Sequence, residues 1–179
     1  MTGRTPAAVP GMTVRHFRGE EDYPLIAAIM RACSEADRLE QAVSAGSIRG
    51  TFEHLVNCDP ARDAVFVEVN GEPVAYGRVF WYPPVTGEVV YVVRGCVLPE
   101  WRRKGIGTAL LGWQEARLRE IAATHLPGGA REFGAEAYEH QQDKRALLEH
   151  AGYQVVTMIA EMVRPDLENI PGAPLPAGF

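Results

Sequence analysis

The chain has 179 residues, 46% of them hydrophobic and 23% charged, with a formal net charge of -5. That length is one domain with appendages, able to bury roughly 70% of its unfolded surface, and the composition excludes wholesale disorder, collagen and coiled coil. The acidic balance argues against a protein that holds long nucleic acid by its overall field, because phosphate neutralisation needs clustered cations.

Met1 to Gly11 holds two prolines and two glycines but no apolar run, which reads as a flexible leader without a signal peptide. Thr13 to Phe17 alternates apolar and polar residues as a short strand does. Asp22 to Ala32 reads as a helix capped by Asp22, with Leu25, Ile26, Ile29 and Met30 on an apolar face that belongs to the core. From Ser34 to Asp63 the pattern weakens. Ser44 to Gly50 is small and polar, and Thr51 to Val56 reads as a short helix ending near Asn57. Irregular stretches of this sort line the substrate pocket in many enzymes.

Ala64 to Val69 and Val74 to Trp81 flank Asn70-Gly71, a pair that supplies the positive φ angles of a tight hairpin turn. Glu88 to Leu98 is a further strand, and Pro99, which cannot donate to a ladder, ends it. A helix follows from Gly105 to Ala122, with Leu110, Leu111, Leu118 and Ile121 inward. Phe133 to Tyr138 reads as a strand and Asp143 to His150 as a short helix. Gly152 is its left-handed stop, and Tyr153 to Val163 is a closing strand. Pro165 to Phe179, with four prolines and two glycines, reads as a tail or linker. No window approaches the ~18 apolar residues of a membrane span. The three cysteines, Cys33, Cys58 and Cys96, show neither a disulfide framework nor zinc spacing. A soluble, cytoplasmic protein without a metal is expected.

The segment Val97 to Ala109 carries the chemistry. A strand delivers the chain to a glycine-bearing turn, and a helix starts there. Gly105 and Gly107 let the backbone curl so that successive N–H groups converge on one anion at the positive end of the helix. Arg102, Arg103 and Lys104 add charge, and Thr108 adds a hydroxyl. This is a cradle for phosphate or pyrophosphate, although a glycine pair also opens helices that bind nothing. The Walker pattern is absent, and the dinucleotide fingerprint fails at its third glycine, where Leu110 stands.

Arg102-Arg-Lys-Gly-Ile-Gly107 resembles the cofactor motif of the GNAT superfamily of acyl-CoA-dependent N-acyltransferases: Gln or Arg, two residues, Gly, one residue, then Gly or Ala. Glu149-His-Ala-Gly152-Tyr153 looks like the family's closing segment. With the Asn70-Gly71 hairpin and the strand and helix near the start, the likeness runs from Met12 to Pro165. It implies an α/β domain over residues 12–164, with a mixed, mostly antiparallel sheet, helices on both faces and acetyl-CoA as co-substrate. By this resemblance Gly95, Cys96 and Val97 offer backbone groups to the pantetheine arm from a splayed strand. Arg102 opens the motif, and Arg103, Lys104, Gly105, Ile106, Gly107 and Thr108 hold the pyrophosphate. The implied reaction is direct attack by an amine on the thioester, with an N–H such as that of Val97 stabilising the oxyanion. Cys96 is then a packed side chain rather than a nucleophile.

The chain also departs from the family pattern. Leu148 stands where many members carry the Tyr that protonates the leaving thiolate, and Gln141 where an Asn contacts the cofactor. Tyr91 falls where some histone-type members place a catalytic Glu. Glu88, three residues earlier, points to the other face of the strand unless a bulge intervenes. Glu88, Tyr91, Glu136 and Tyr138 remain acid or base candidates, whereas His16 and His140 read as solvated. A thiol of pKa ~8.5 departs tolerably near neutral pH, and losing the acid costs on the order of 10² to 10⁴ in rate. Without a base, deprotonating a lysine-like amine near neutral pH costs roughly 4.6 kcal/mol, against about 1 kcal/mol for an α-amine, so acceptors of low pKa are favoured.

The resemblance therefore implies acetyl transfer to a small-molecule amine or a protein amino group, while the acidic balance and the lack of an apolar span argue against nucleic acid and membrane as partners. The tail resembles the linker between the lobes of tandem GNAT proteins, so a second lobe or a homodimer is the expected assembly. A non-catalytic acyl-CoA-binding lobe is the alternative that Leu148 favours. The acceptor pocket is expected from Ser34 to Asp63 and the turn Tyr82 to Thr86.

Overall fold

A computed structural model describes residues 9–40, 42–83, 88–126, 129–160, 168 and 172. Most of the expected leader and tail, and Pro84 to Thr86 of the expected acceptor turn, lie outside the described residues. Five strands, β1 (Met12–His16), β2 (Ala64–Val69), β3 (Glu72–Tyr82), β4 (Val89–Val97) and β5 (Arg131–Ala135), lie side by side in chain order. β1 to β4 pair antiparallel. β5 joins β4 in parallel, after the crossover helix α4 (Ile106–Thr124).

Strand alternation divides the core into two layers. Phe66 and Tyr76 face α1 (Tyr23–Ala36) and α2 (Ala45–Glu53), and pack with Ile26, Ile29, Ile48 and Phe52. Val65, Val67, Val79 and Tyr91 face the other way, toward Leu110, Leu111 and Leu118 of α4. Leu147 and Leu148 of α5 (Gln142–His150) close over that second layer. The result is the expected α/β architecture, a mixed and mostly antiparallel sheet with helices on both faces. Asn70 and Gly71 turn the β2–β3 hairpin at φ 53 and 85.

The structure differs from the sequence reading at four places. Asp22 sits at the helix N-cap but does not cap it. Its buried carboxylate instead takes two 2.8 Å bonds from the Arg15 guanidinium and one of 2.7 Å from the Arg18 N–H. Leu25 is 36% exposed, so the apolar face of α1 is narrower than its spacing suggests. The small, polar run Ser44 to Gly50 is the start of α2, because the Ser44 and Ser47 side chains each cap the other's backbone N–H; that helix ends at Glu53, short of Val56. Residues 153–160 form no strand, and Val155, Val156, Met158 and Ile159 are exposed. The segment is rich in apolar and β-branched residues, but no neighbouring strand pairs with it; Glu161 to Val163 lie outside the described residues.

Candidate functional site

β4 and β5 pair only from Val89↔Arg131 to Val93↔Ala135. β4 runs on to Val97 against β3, so a wedge opens on its other side. Leu98 donates to the Val74 carbonyl at 2.9 Å. Antiparallel alternation therefore directs the backbone groups of Gly95 and Val97 away from β3, toward the wedge. Gly95 fits there because α4 and β3 crowd it. A Cβ at this position would lie 2.6 Å from the Tyr76 carbonyl oxygen and 3.0 Å from the Gly77 Cα. From the α4 side Gln114, buried, donates to the carbonyls of Arg78 and Arg94 at 3.1 and 2.9 Å, which pins β3 and β4 together below the opening.

The wedge is one end of a cavity of about 700 Å³ lined by Gly95, Cys96 and Val97, by the turn before α4, and by α5. At the other end α4 begins without a side-chain cap, because its N-cap is Gly105 in the left-handed conformation at φ 88. The first-turn N–H groups have no intrahelical partner and open beside Gly107 and Thr108, which line the cavity. Backbone donors and the helix dipole thus converge where the sequence reading expects an anion.

The basic residues of the motif do different things. Arg102 lines the cavity, but its guanidinium is committed: it holds Asp37 at 2.6 and 3.1 Å and the Val97 carbonyl at 3.2 Å. Arg103, itself at φ 60, reaches Asp143 at 3.3 Å and stays largely exposed. The Lys104 ammonium lies 4.7 Å from the Trp101 ring centroid, and Ile106 is buried in the core; neither side chain lines the cavity. Gln141 does line it, and donates to Asp37 at 2.7 Å. Asp37 therefore ties together the end of α1, the turn before α4 and the start of α5. Burial would raise its carboxyl, but the bonds from Arg102 and Gln141 hold it below the usual carboxylate range.

The four acid or base candidates, Glu88, Tyr91, Glu136 and Tyr138, stand apart from the cavity lining. Tyr91 is 1% exposed and packs under α4, its hydroxyl 2.7 Å from His125 Nδ1. It shares a face of β4 with Val93 and Gly95, which line the cavity, but lies in the stretch that β5 still pairs, opposite Phe133. Glu88 is exposed just before β4 begins, and Tyr138 lies beyond β5 with its ring against His140. Glu136 is exposed and pairs with Arg94 at 2.7 Å. The Cys96 thiol is held well above its ordinary value by its contact with Cys33 and by burial, and a protonated thiol is a poor nucleophile.

Sequence reasoning missed Lys144. It lines the cavity from α5, one helical turn before Leu148, which lines it too. Burial lowers its pKa below the ordinary lysine value and Arg94 lowers it further, while Cys96, Glu136 and Asp37 pull the other way. No carboxylate among the described residues lies within ion-pair distance of it. A signal was available: of the 18 cationic residues, only Lys104 and Lys144 are lysine.

A parallel strand that leaves its neighbour beside the glycine-led start of a crossover helix is the architecture of the acyl-CoA-dependent N-acyltransferases. The model of the acetyltransferase (GNAT) family matches residues 26–153, and the chain belongs to that family. A GCN5-related N-acetyltransferase from Sphaerobacter thermophilus is similar, with a TM-score of 0.69 and 26% identity over 83% of this chain and 45% of that one. The chain thus spans less than half the length of that protein. A predicted acetyltransferase with acetyl-CoA from Clostridium acetobutylicum shares the fold at TM-score 0.61 and 15% identity, over 85% of this chain and 96% of the other. So does the aminoglycoside 6'-N-acetyltransferase AAC(6')-Ih from Acinetobacter baumannii, at TM-score 0.60 and 18% identity over 86% and 98%. No curated protein matches the chain. Among the described residues no helix is long and apolar enough to cross a membrane.

Proposed function

We propose that this chain transfers an acetyl group from acetyl-CoA to a primary amine by direct attack on the thioester. The observation that carries this reading is the single cavity that joins the β4–β5 wedge to the uncapped start of α4. In the wedge, the N–H groups of Gly95 and Val97 receive the amide groups and thioester oxygen of the co-substrate. The first-turn N–H groups of α4, with Arg103 and Thr108, take its pyrophosphate. Acetyl-CoA supplies the activated acetyl group.

Proton handling falls to Lys144. Leu148 cannot donate a proton, whereas the Lys144 ammonium reaches the same cavity beside Cys96. Its lowered pKa brings it toward the ~8.5 of the departing thiol, which suits a proton donor. The acceptor amine enters from the α1–α2 face and loses its surplus proton to solvent.

A second reading is a lobe that holds acyl-CoA without transferring it, within a two-lobe protein whose linker is residues 165–179. The partial coverage of the Sphaerobacter protein and the apolar Leu148 favour it. Thiol release from acetyl-CoA across an amine panel separates the two. Release above the amine-free rate supports transfer. Tight binding without release supports the holding lobe.

A further inference from the structure

The α1–α2 face of the sheet carries a charge that the fold does not compensate. Arg78 is 8% exposed, and its Nη1 atom is buried without a hydrogen-bond partner. No carboxylate among the described residues forms an ion pair with it. Its guanidinium carbon instead lies over two rings, 5.8 Å from the Phe52 centroid and 5.4 Å from that of Phe80. Directly opposite in the β3–β4 register stands a second arginine, Arg94. Like charges facing each other across a ladder destabilise a sheet. Arg94 has Glu136, on the exposed side, as its partner.

One step along the ladder is Tyr76, paired with Cys96. The Tyr76 hydroxyl is likewise buried without a partner, and burial pushes its pKa up, so it stays protonated and able to donate. Cys96 lines the cavity on its other side. Two orphaned donors and a pair of arginines thus share one face of adjacent ladder pairs; none of the three residues lines the cavity, but Cys96, opposite Tyr76, does. An unpaired buried guanidinium is costly to a fold, and such departures concentrate where a ligand completes the arrangement.

We infer that Arg78, with Arg94 and the Tyr76 hydroxyl, forms a recognition site for a carboxylate on the acceptor, so that the amine acetylated is one that also bears an acid group. This rests on the acetyl-transfer reading and narrows it. Arg78 offers the planar pair of N–H donors that a carboxylate accepts, Tyr76 offers a third, and Phe52 and Phe80 wall the site from water. Residues two apart on a strand face are about 7 Å apart. The acid group at Arg94 and Arg78 then leaves the amine within reach of the cavity at Cys96 when a short carbon chain separates the two.

The test uses matched amines: L-lysine against cadaverine, and 6-aminohexanoate against hexylamine. Initial rates of acetyl-CoA-dependent thiol release are measured for each, and calorimetry follows 6-aminohexanoate binding to the protein loaded with CoA. The expected result is a preference of about 30-fold or more in kcat/KM for the acid-bearing partner, carried mainly by KM. Arg78→Met cuts it to within about threefold, and Arg94→Met cuts it by a smaller factor. Thermal melts accompany both variants; Arg78→Met is expected to melt no lower than the parent chain, since it removes an unpaired buried charge.

Equal rates for the two members of each pair, or a preference that survives Arg78→Met, overturn the inference and leave acetyl transfer intact. Binding of 6-aminohexanoate that Arg78→Met abolishes, with no transfer to any amine, supports the carboxylate site and overturns the transfer reading.

Discussion

Asp37→Ala is the perturbation whose cost follows most directly from the structure. The carboxylate accepts three bonds: 2.6 and 3.1 Å from Arg102, and 2.7 Å from Gln141. A bond to a charged group contributes about 1.5–3 kcal/mol, so three give about 4.5–9 kcal/mol in a sealed interior. The pair is not sealed: the Arg102 side chain is 22% exposed and that of Asp37 11%. Water replaces part of what is lost, and between the limits for exposed and buried pairs the expectation is about 2–3 kcal/mol. For a domain of this size that lowers Tm by about 4–12 °C.

The same variant reports on pH. Because the native carboxyl is held below its ordinary range, the clamp contributes fully above about pH 4 and is lost as pH falls through the lower native value. Denaturant unfolding at pH 7 and at pH 3 measures both effects, and the gap between parent and variant narrows at the lower pH. A difference at pH 7 below about 0.5 kcal/mol, within the range of ordinary surface changes, would refute the idea that Asp37 fastens three elements around the cavity.

Further outcomes follow from the same geometry. Gly95→Val drives a side chain against the Tyr76 carbonyl, 2.6 Å from the new Cβ; a loss of about 1–3 kcal/mol is expected by denaturant unfolding, and an unchanged midpoint would contradict the close approach. Lys144→Met is expected to lower kcat for thiol release by about 10²-fold or more and to remove the fall in rate expected of the parent as rising pH deprotonates its ammonium, while Leu148→Tyr in that background restores part of the rate. A pH–rate profile unchanged by Lys144→Met would exclude it as the donor. Tyr91→Phe costs about 1 kcal/mol through its lost bond to His125 and leaves thiol release unaltered; a rate loss above tenfold would return Tyr91 to the reaction.

Much of the frame was legible in the sequence because it depends on local rules. Asn70-Gly71 dictates its turn, Pro99 ends β4, and Gly105 starts α4 because a residue at φ 88 without a Cβ suits an uncapped N-terminus. The misread segments depend on neighbours. Ser44 becomes a cap only through Ser47, and Tyr153 to Ala160 has the β-branched, apolar composition of a strand without being paired as one. At the site, the motif located the cavity but could not distribute the charges. Arg102 turns to Asp37, 65 positions away in sequence, and the isolation of Arg78 depends on which carboxylates the fold brings near it. The lone lysine on α5 was visible, but its burial was not.

The central claim is that the cavity from the β4–β5 wedge to the start of α4 receives acetyl-CoA. Calorimetric titration of acetyl-CoA into the purified chain, with Gly107→Trp beside it, tests this most directly, since a Cβ at Gly107 already stands 3.1 Å from the Leu147 side chain and an indole would fill the opening. The account predicts one site of micromolar affinity in the parent chain and none in the variant, with both melting cooperatively. Absence of binding in the parent, or equal binding in the two, would contradict it.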